Sequence, residues 1–222
     1  MLHHLERQQA LNELYHLPDL PSLLPDILTA LDAELGEVKT ELKSWWAWWT
    51  DRPVNRAQLL QELADVQFFY LIFVLHARKY QHGFNLDGFA SHAAFLTARG
   101  ERHGAAFAAH PSSTELGGNR EVIAHINGLQ HHVLAGESRP YETLFILAEG
   151  IAKLTAMLGF SQDDLEEAYL EKFLVNIQRT GKLHTDEGTA LYLAAEEEQR
   201  VVRARRRQRE LSTFAEPVRL VA

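Results

Sequence analysis

The sequence predicts an all-α protein, and three observations lead to that prediction. Apolar residues recur with a period near 3.6 along most of the chain, and no segment alternates apolar and polar residues as a half-buried strand does. Hydrophobic residues make up 46% of the 222 residues, enough to form a large core in one domain or two small ones. Pro18, Pro21 and Pro53 stand between the periodic segments, where they end helices without interrupting them.

The helices are expected in a continuous series, each boundary carrying an error of a few residues. Start signals support two of them. Asn55 with Gln58 three residues later forms a capping box, and Ser161 with Asp164 forms another directly after Gly159, which suits the end of the preceding helix. The expected helices are 2–16, 23–50, 56–80, 85–99, 119–136, 141–159, 162–180 and 188–210.

One segment interrupts the helical series and is interpreted as a linker. Residues 100–119 are rich in Gly, Ala, His, Ser and Pro. This linker divides an N-terminal helical half, residues 1–99, from a C-terminal helical half, residues 120–185. Residues 186–222 then form a helical, highly charged tail.

Composition and charge exclude several classes of function. The chain has no cysteine, which excludes disulfides, thiolate zinc sites and thiol catalysis and is typical of a cytoplasmic protein. No stretch reaches the roughly eighteen consecutive apolar residues of a membrane helix, so no membrane association is expected. A formal net charge of −8 argues against nucleic acid as the main ligand, because binding to a phosphate backbone requires a positive field.

Two pairs of acidic residues, each one helical turn apart, indicate a metal site. Glu34 and Glu37 lie on one predicted helix, and Glu62 and Asp65 lie on the next. The alternative is that each pair forms a solvated helix face. That alternative is weakened because residues 66–75, VQFFYLIFVL, are too apolar to be exposed, and a carboxylate near buried surface is costly unless it is paired or binds metal. The apolar residues expected around the carboxylates are Ala33, Leu42, Val66, Phe69 and Ile72.

Four motifs in order resemble one enzyme family. They are QQALN at 8–12, ExxE at 34–37 followed by tryptophans, ExxD at 62–65 followed by aromatics, and a Y-x-x-K-x-x-x-N-x-x-R array within 159–181. The first three resemble the all-α nucleoside triphosphate pyrophosphatases, the MazG-like superfamily, and the fourth is similar to the C-terminal signature of the dimeric dUTPases. The resemblance implies a homodimeric helical bundle that splits dUTP, with dUDP as a further candidate substrate, into dUMP and pyrophosphate.

The acidic residues suit that chemistry. Mg²⁺ prefers oxygen ligands and is usually held by a few carboxylates together with substrate phosphates and water. Glu34, Glu37, Glu62 and Asp65 are such a set, and Mn²⁺ is a possible substitute cation. Two cations can clamp an in-line phosphoryl displacement and lower the pKa of the attacking water. Glu34 or Glu37 would then be the general base.

The resemblance also implies which residues bind the phosphates and the base. In the C-terminal array, Lys172 and Arg179 would contact phosphates and Asn176 would help to recognise the base. Tyr169 would either close over the nucleotide or belong to the core. Without the resemblance, Lys172, Asn176 and Arg179 would be interpreted as one polar helix face.

The resemblance implies four further residues at the base and sugar. Gln9 and Asn12 present amides that can hydrogen-bond a uracil edge or a sugar hydroxyl. Trp48 is the candidate for stacking on the base, and Tyr70 the candidate for packing against the deoxyribose and excluding a 2′-hydroxyl. The chain departs from the family after Arg179, where a substrate-covering loop is replaced by the sequence that follows Gly181.

The predicted function is therefore Mg²⁺-dependent hydrolysis of dUTP, with two alternatives. The first is a MazG-like pyrophosphatase of other or broader (d)NTP specificity. The second is a non-catalytic nucleotide- or RNA-binding protein on the same fold, which could use the arginine run RVVRARRRQR at 200–209. In an acidic chain such a run is more often a solvated helix that pairs with acidic neighbours.

Overall fold

The computed structural model describes residues 2–17, 20–109 and 116–215, and all secondary structure in those ranges is helical. The all-α prediction is thereby confirmed. A short 3-10 helix, Pro21–Leu23, precedes the second α-helix. The α-helices are α1 (Leu2–Tyr15), α2 (Leu24–Glu41), α3 (Lys43–Trp46), α4 (Arg56–Tyr80), α5 (Leu86–Ala108), α6 (Leu116–Leu134), α7 (Pro140–Met157), α8 (Gln162–Arg179) and α9 (Asp186–Ala215).

α4 is the central helix of the bundle and packs against α1, α2, α7 and α8. By length and composition α4 could cross a membrane, although no such segment was predicted from the sequence. Of its most apolar 18-residue window, 67% is buried inside the fold, as in a core helix. The neighbours of α4 therefore cover its apolar faces, and Glu62 and Asp65 lie buried on the same helix.

The predicted starts of α4 and α8 and the predicted end of α7 occur where the sequence placed them. The Asn55 side chain accepts a hydrogen bond from the Gln58 backbone N–H at the start of α4. Ser161 and Asp164 form a reciprocal capping box at the start of α8. Gly159 ends α7 with φ +75°, a conformation that favours glycine.

The long second helix predicted at 23–50 is wrong in its last third. α2 ends at Glu41, and the short α3 follows it with a change of direction at Leu42. The Trp46 indole N–H donates to the Lys39 carbonyl oxygen at 3.0 Å, and so satisfies one of the carbonyls that the end of α2 leaves free. Trp48 and Trp49 lie beyond α3 and are exposed.

The linker predicted at 100–119 is wrong for most of its length. α5 continues to Ala108 and α6 begins at Leu116, and residues 110–115 lie outside the described part of the chain. The glycines of this segment serve helix packing. A Cβ at Gly100 would lie 2.4 Å from the Glu149 carbonyl oxygen, and one at Gly104 would lie 2.3 Å from the Cβ of Ala156. Glycine therefore lets α5 approach α7 closely, and helices from both predicted halves share one core.

The charged tail forms α9, whose arginines pair with the acidic face of α8. Arg203 Nε lies 2.5 Å from a Glu167 carboxylate oxygen, and Arg205 lies 2.5 Å from one of Glu166. Asp163, which is buried, is paired with Arg205 and Arg209. The arginine run is thus a helix that pairs with acidic neighbours.

Candidate active site

Three of the four predicted carboxylates converge between α2 and α4. One carboxylate oxygen from each of Glu34, Glu62 and Asp65 lies within 4.8 Å of the other two. Glu62 and Asp65 are buried, with 7% and 8% of their surface exposed, and Glu34 is half-buried. Of the apolar neighbours predicted, Leu42 and Val66 are buried and Phe69 and Ile72 half-buried, but Ala33 is exposed.

The electrostatics of this cluster favour a bound cation. Burial, followed by the negative charges of Asp65, Glu37 and Glu62, raises the pKa of Glu34 from 4.5 to about 7. Burial also raises the pKa of Asp65, although the hydrogen bond and charge of Lys172 oppose this. The cluster therefore carries more negative charge than the nearby ammonium group compensates.

Glu37 lies at the exposed edge of the cluster, one turn further along α2. Its pKa is raised by desolvation and by a hydrogen bond and charge repulsion from Glu62. Glu62 in turn accepts a hydrogen bond from the Gln58 side-chain amide. Gln58 was not among the predicted site residues, although its position one turn before Glu62 on the same helix indicates the contact.

The donor set fits a hard divalent cation. Every candidate ligand atom is a carboxylate oxygen, as Mg²⁺ and Mn²⁺ prefer. A cation would relieve the repulsion that raises the pKa of Glu34. Glu34, Glu62 and Asp65, with Glu37 at the edge, are the residues that would hold it.

The basic stripe of α8 reaches this cluster. Lys172 Nζ lies 2.5 Å from Asp65 Oδ2, and the two side chains are 25% and 12% exposed. The charge of Arg179, an exposed residue, acts on Asp65 to lower its pKa. Asn176 is buried, and its backbone carbonyl accepts a hydrogen bond from the Tyr15 hydroxyl at 3.0 Å. Lys172 thus contacts the carboxylate cluster directly, whereas Arg179 acts on Asp65 through its charge.

Tyr169 belongs to the core, the second of its two predicted roles. It is 1% exposed, and its hydroxyl donates to Gln8 Oε1 at 3.3 Å. The Gln8 amide donates to Asn12 Oδ1 at 2.9 Å. Gln8, which is fully buried, therefore orients Asn12. Gln8 is part of the QQALN motif, but no feature of the motif favours it over Gln9.

Gln9 and Asn12 line a cavity of about 980 Å³ between α1, the chain around Leu20–Ile27 and the second half of α4. Gln9 is exposed and donates to Glu13 at 3.2 Å. Phe69 lies on the α4 wall of the cavity. The cavity begins one helical turn beyond Asp65, so it lies next to the carboxylate cluster.

The position of Tyr70 does not support its predicted packing on the sugar. Tyr70 is 3% exposed and its hydroxyl donates to the Leu144 carbonyl oxygen of α7 at 3.3 Å. Five residues along an α-helix turn a side chain about 140° away, whereas the four residues from Asp65 to Phe69 turn it only about 40°. Phe69, and not Tyr70, therefore shares the face of Asp65. The angular spacing in the sequence already carried this signal.

Trp48 extends into solvent after α3. Its side chain is 92% exposed and makes an edge contact with Trp49 at 5.7 Å. In the described part of the chain it does not line the cavity of Gln9 and Asn12. Its predicted stacking on the base is therefore not supported by its position within one protomer.

Comparison with known proteins agrees with the carboxylate cluster and the basic stripe. A family model described as dUTPase matches residues 2–183, which include all four motifs. No curated protein and no solved structure matches the chain. The chain therefore belongs to the all-α dUTPase family and is a hydrolase, a nucleoside triphosphate pyrophosphatase that acts on dUTP.

Proposed function

We propose that the protein hydrolyses dUTP to dUMP and pyrophosphate in a Mg²⁺-dependent reaction at the carboxylate cluster, with dUDP as a second substrate. The observation that carries the proposal is the convergence of Glu34, Glu62 and Asp65, whose oxygens lie within 4.8 Å of one another. Lys172 supplies a positive charge at 2.5 Å from Asp65. A cluster of this composition next to a basic helix face is suited to a nucleoside triphosphate and its cation.

The acidic residues have different roles, which follow from their positions in the cluster. Glu34, Glu62 and Asp65 hold the cation, which when bound neutralises phosphate charge and makes the attacking water more acidic. Glu37 lies at the open edge, where water has access, and accepts the proton of the attacking water. Glu34 is the alternative base.

The remaining residues bind and orient the nucleotide. Lys172 and Arg179 bind the phosphates, because an ammonium neutralises charge and a guanidinium can donate two hydrogen bonds to one phosphate. The amides of Gln9 and Asn12 hydrogen-bond the base in the adjacent cavity. Phe69 forms the apolar wall between the carboxylates and that cavity, at the place where the deoxyribose would lie.

The test is a substrate panel with Mg²⁺, with Mn²⁺ and with a chelator, using dUTP, dUDP, dTTP, dCTP and UTP. We expect dUTP to be hydrolysed to dUMP and pyrophosphate only with a divalent cation. Glu37→Gln should abolish most turnover and leave the helical fold intact. Glu137→Gln, which removes an exposed glutamate in the turn after α6, is the matched control and should retain full activity. Full activity of Glu37→Gln would refute its role.

A broader (d)NTP specificity is the second candidate. It is favoured by the segment after Arg179, where Gly181 and Lys182 open a turn that leads into α9, so this chain lacks the family's covering loop. Comparable rates with dUTP, dTTP and dCTP in the panel would establish it. We also propose a homodimer, which light scattering of the purified protein would test.

A further inference from the structure

α9 lies beyond the part of the chain that the family model matches, and charged side chains supply much of its contact with α8. The match ends at residue 183, whereas α9 spans Asp186–Ala215. Among the described side chains of α9, the buried hydrophobic ones are Ala195 and Val202. Its ion pairs to α8 are Arg203 with Glu167 and Glu171, Arg205 with Asp163 and Glu166, Arg206 with Asp164 and Glu167, and Arg209 with Asp163.

One of these arginines, Arg203, is connected through Glu171 to Gln61 of α4, the residue before Glu62 of the carboxylate cluster. Arg203 donates from one nitrogen to Glu171 Oε1 at 2.9 Å and from another to Glu167 Oε1 at 2.5 Å. The other oxygen of Glu171 accepts a hydrogen bond from the Gln61 amide at 3.2 Å. Glu171, which belongs to α8, therefore links α9 to α4.

Gln61 and Glu171 are the immediate sequence neighbours of functional residues. Gln61 precedes the cluster residue Glu62 on α4, and Glu171 precedes Lys172 on α8. The Asp65–Lys172 pair spans the same two helices. Two polar contacts thus join α8 to α4 at this level, the Asp65–Lys172 pair and the Gln61–Glu171 hydrogen bond.

We propose that Arg203 is a positioning residue for the reaction: by holding Glu171, it fixes α8 against α4 and so aligns Lys172 with the carboxylates. The proposal rests on the proposed function. The planar guanidinium suits this role, because its fork can hold Glu167 and Glu171 at once and thereby fix the direction of both. Arg203 and Glu171 are 46% and 43% exposed, so the effect is small and is screened by salt.

The test measures Mg²⁺ binding by calorimetry together with kcat and KM for dUTP. An exposed pair contributes up to about 1 kcal/mol, so Arg203→Gln is expected to raise KM for dUTP by roughly two- to fivefold. Because a displaced Lys172 competes less with Mg²⁺ for Asp65, Mg²⁺ binding should tighten by a similar factor. Arg203→Lys keeps the charge without the fork and should reverse part of these changes. Arg200→Gln is the matched control, because Arg200 pairs with Glu197 inside α9, and it should leave both constants unchanged.

A double-mutant cycle separates positioning from general stabilisation. If Arg203 acts through Glu171, Arg203→Gln should have no further effect on Mg²⁺ binding in a Glu171→Gln background. Mg²⁺ affinity and KM that match the Arg200→Gln control would refute the proposal. So would changes that scale with the fall in Tm. If the unaltered protein neither binds Mg²⁺ nor hydrolyses dUTP, the proposed function fails, and the positioning role fails with it.

Discussion

Glu34→Gln is expected to stabilise the cation-free protein while it reduces dUTP hydrolysis. Burial and the charges of Asp65, Glu37 and Glu62 raise the pKa of Glu34 from 4.5 to about 7. Glutamine keeps the shape of the side chain and removes the charge. Opposite changes in stability and activity are expected where an unfavourable charge is kept for function.

The size and sign of the stability change follow from the pKa. A carboxyl group with a higher pKa in the folded state binds its proton more tightly there, so stability falls as pH rises from 4.5 towards 7 and the penalty is complete above about pH 7. At 1.36 kcal/mol per pKa unit the penalty is about 3 kcal/mol. Solvent screening of a half-exposed group reduces it to on the order of 1–2 kcal/mol. For a chain of this length the variant should gain roughly 3–6 °C in Tm.

Thermal unfolding followed by circular dichroism, in the presence of a chelator, measures this change. We expect the gain at about pH 8 and little or none at about pH 4.5, where the folded protein already holds the proton. Mg²⁺ should then raise the Tm of the unaltered protein more than that of the variant. Glu137→Gln, the exposed control, should change stability by less than about 0.5 kcal/mol at either pH. An equal gain at both pH values, or undiminished hydrolysis by Glu34→Gln, would refute the reasoning.

Three further variants test the nucleotide-binding surfaces. Arg179→Ala should raise KM for dUTP roughly ten- to hundredfold, since a charge-assisted hydrogen bond contributes about 1.5–3 kcal/mol. Tm should not change, because Arg179 is exposed. A loss of stability equal to the loss of binding would contradict its role. Phe69→Ala should reduce the preference for dUTP over UTP. Tyr70→Phe removes the hydrogen bond to Leu144 and should lower the free energy of unfolding by about 0.5–1.5 kcal/mol. It should leave the preference for dUTP unchanged. Lys182→Met frees the end of α1, to which Lys182 Nζ donates at 2.6 Å, and should raise KM for dUTP with kcat retained; a fall in kcat alone would contradict this.

The parts of the fold and site that follow from local spacing could be predicted from the sequence. The carboxylate pairs were identifiable because residues three apart share a helix face and because an apolar run follows Asp65. The helix starts at Asn55 and Ser161 were identifiable because capping depends on residues within one turn. Tyr70 was assigned to the sugar by family resemblance, and the 100° rotation per residue directs it instead towards α7.

Other features depend on contacts between distant segments and could not be predicted. Gly100 and Gly104 were interpreted as linker residues, yet their i, i+4 spacing places both on the face that meets α7. Composition alone cannot distinguish glycine in a flexible segment from glycine at a close helix contact. The exposure of Trp48 likewise results from the end of α2 at Glu41, which the sequence did not signal.

The role of Lys172 connects the two halves of the site. In the protein alone, Lys172 is the cation that contacts Asp65, and it leaves Glu34 with a pKa of about 7, so one ammonium does not neutralise the cluster. A divalent cation held by the carboxylates would replace Lys172 as the partner of Asp65, and under the proposed function the ammonium would then bind a substrate phosphate. The same ion pair would thus join α8 to α4 before substrate binds and supply a phosphate ligand afterwards. On this proposal the contact of Lys172 with Asp65 is compatible with a site that binds ligands of both charges.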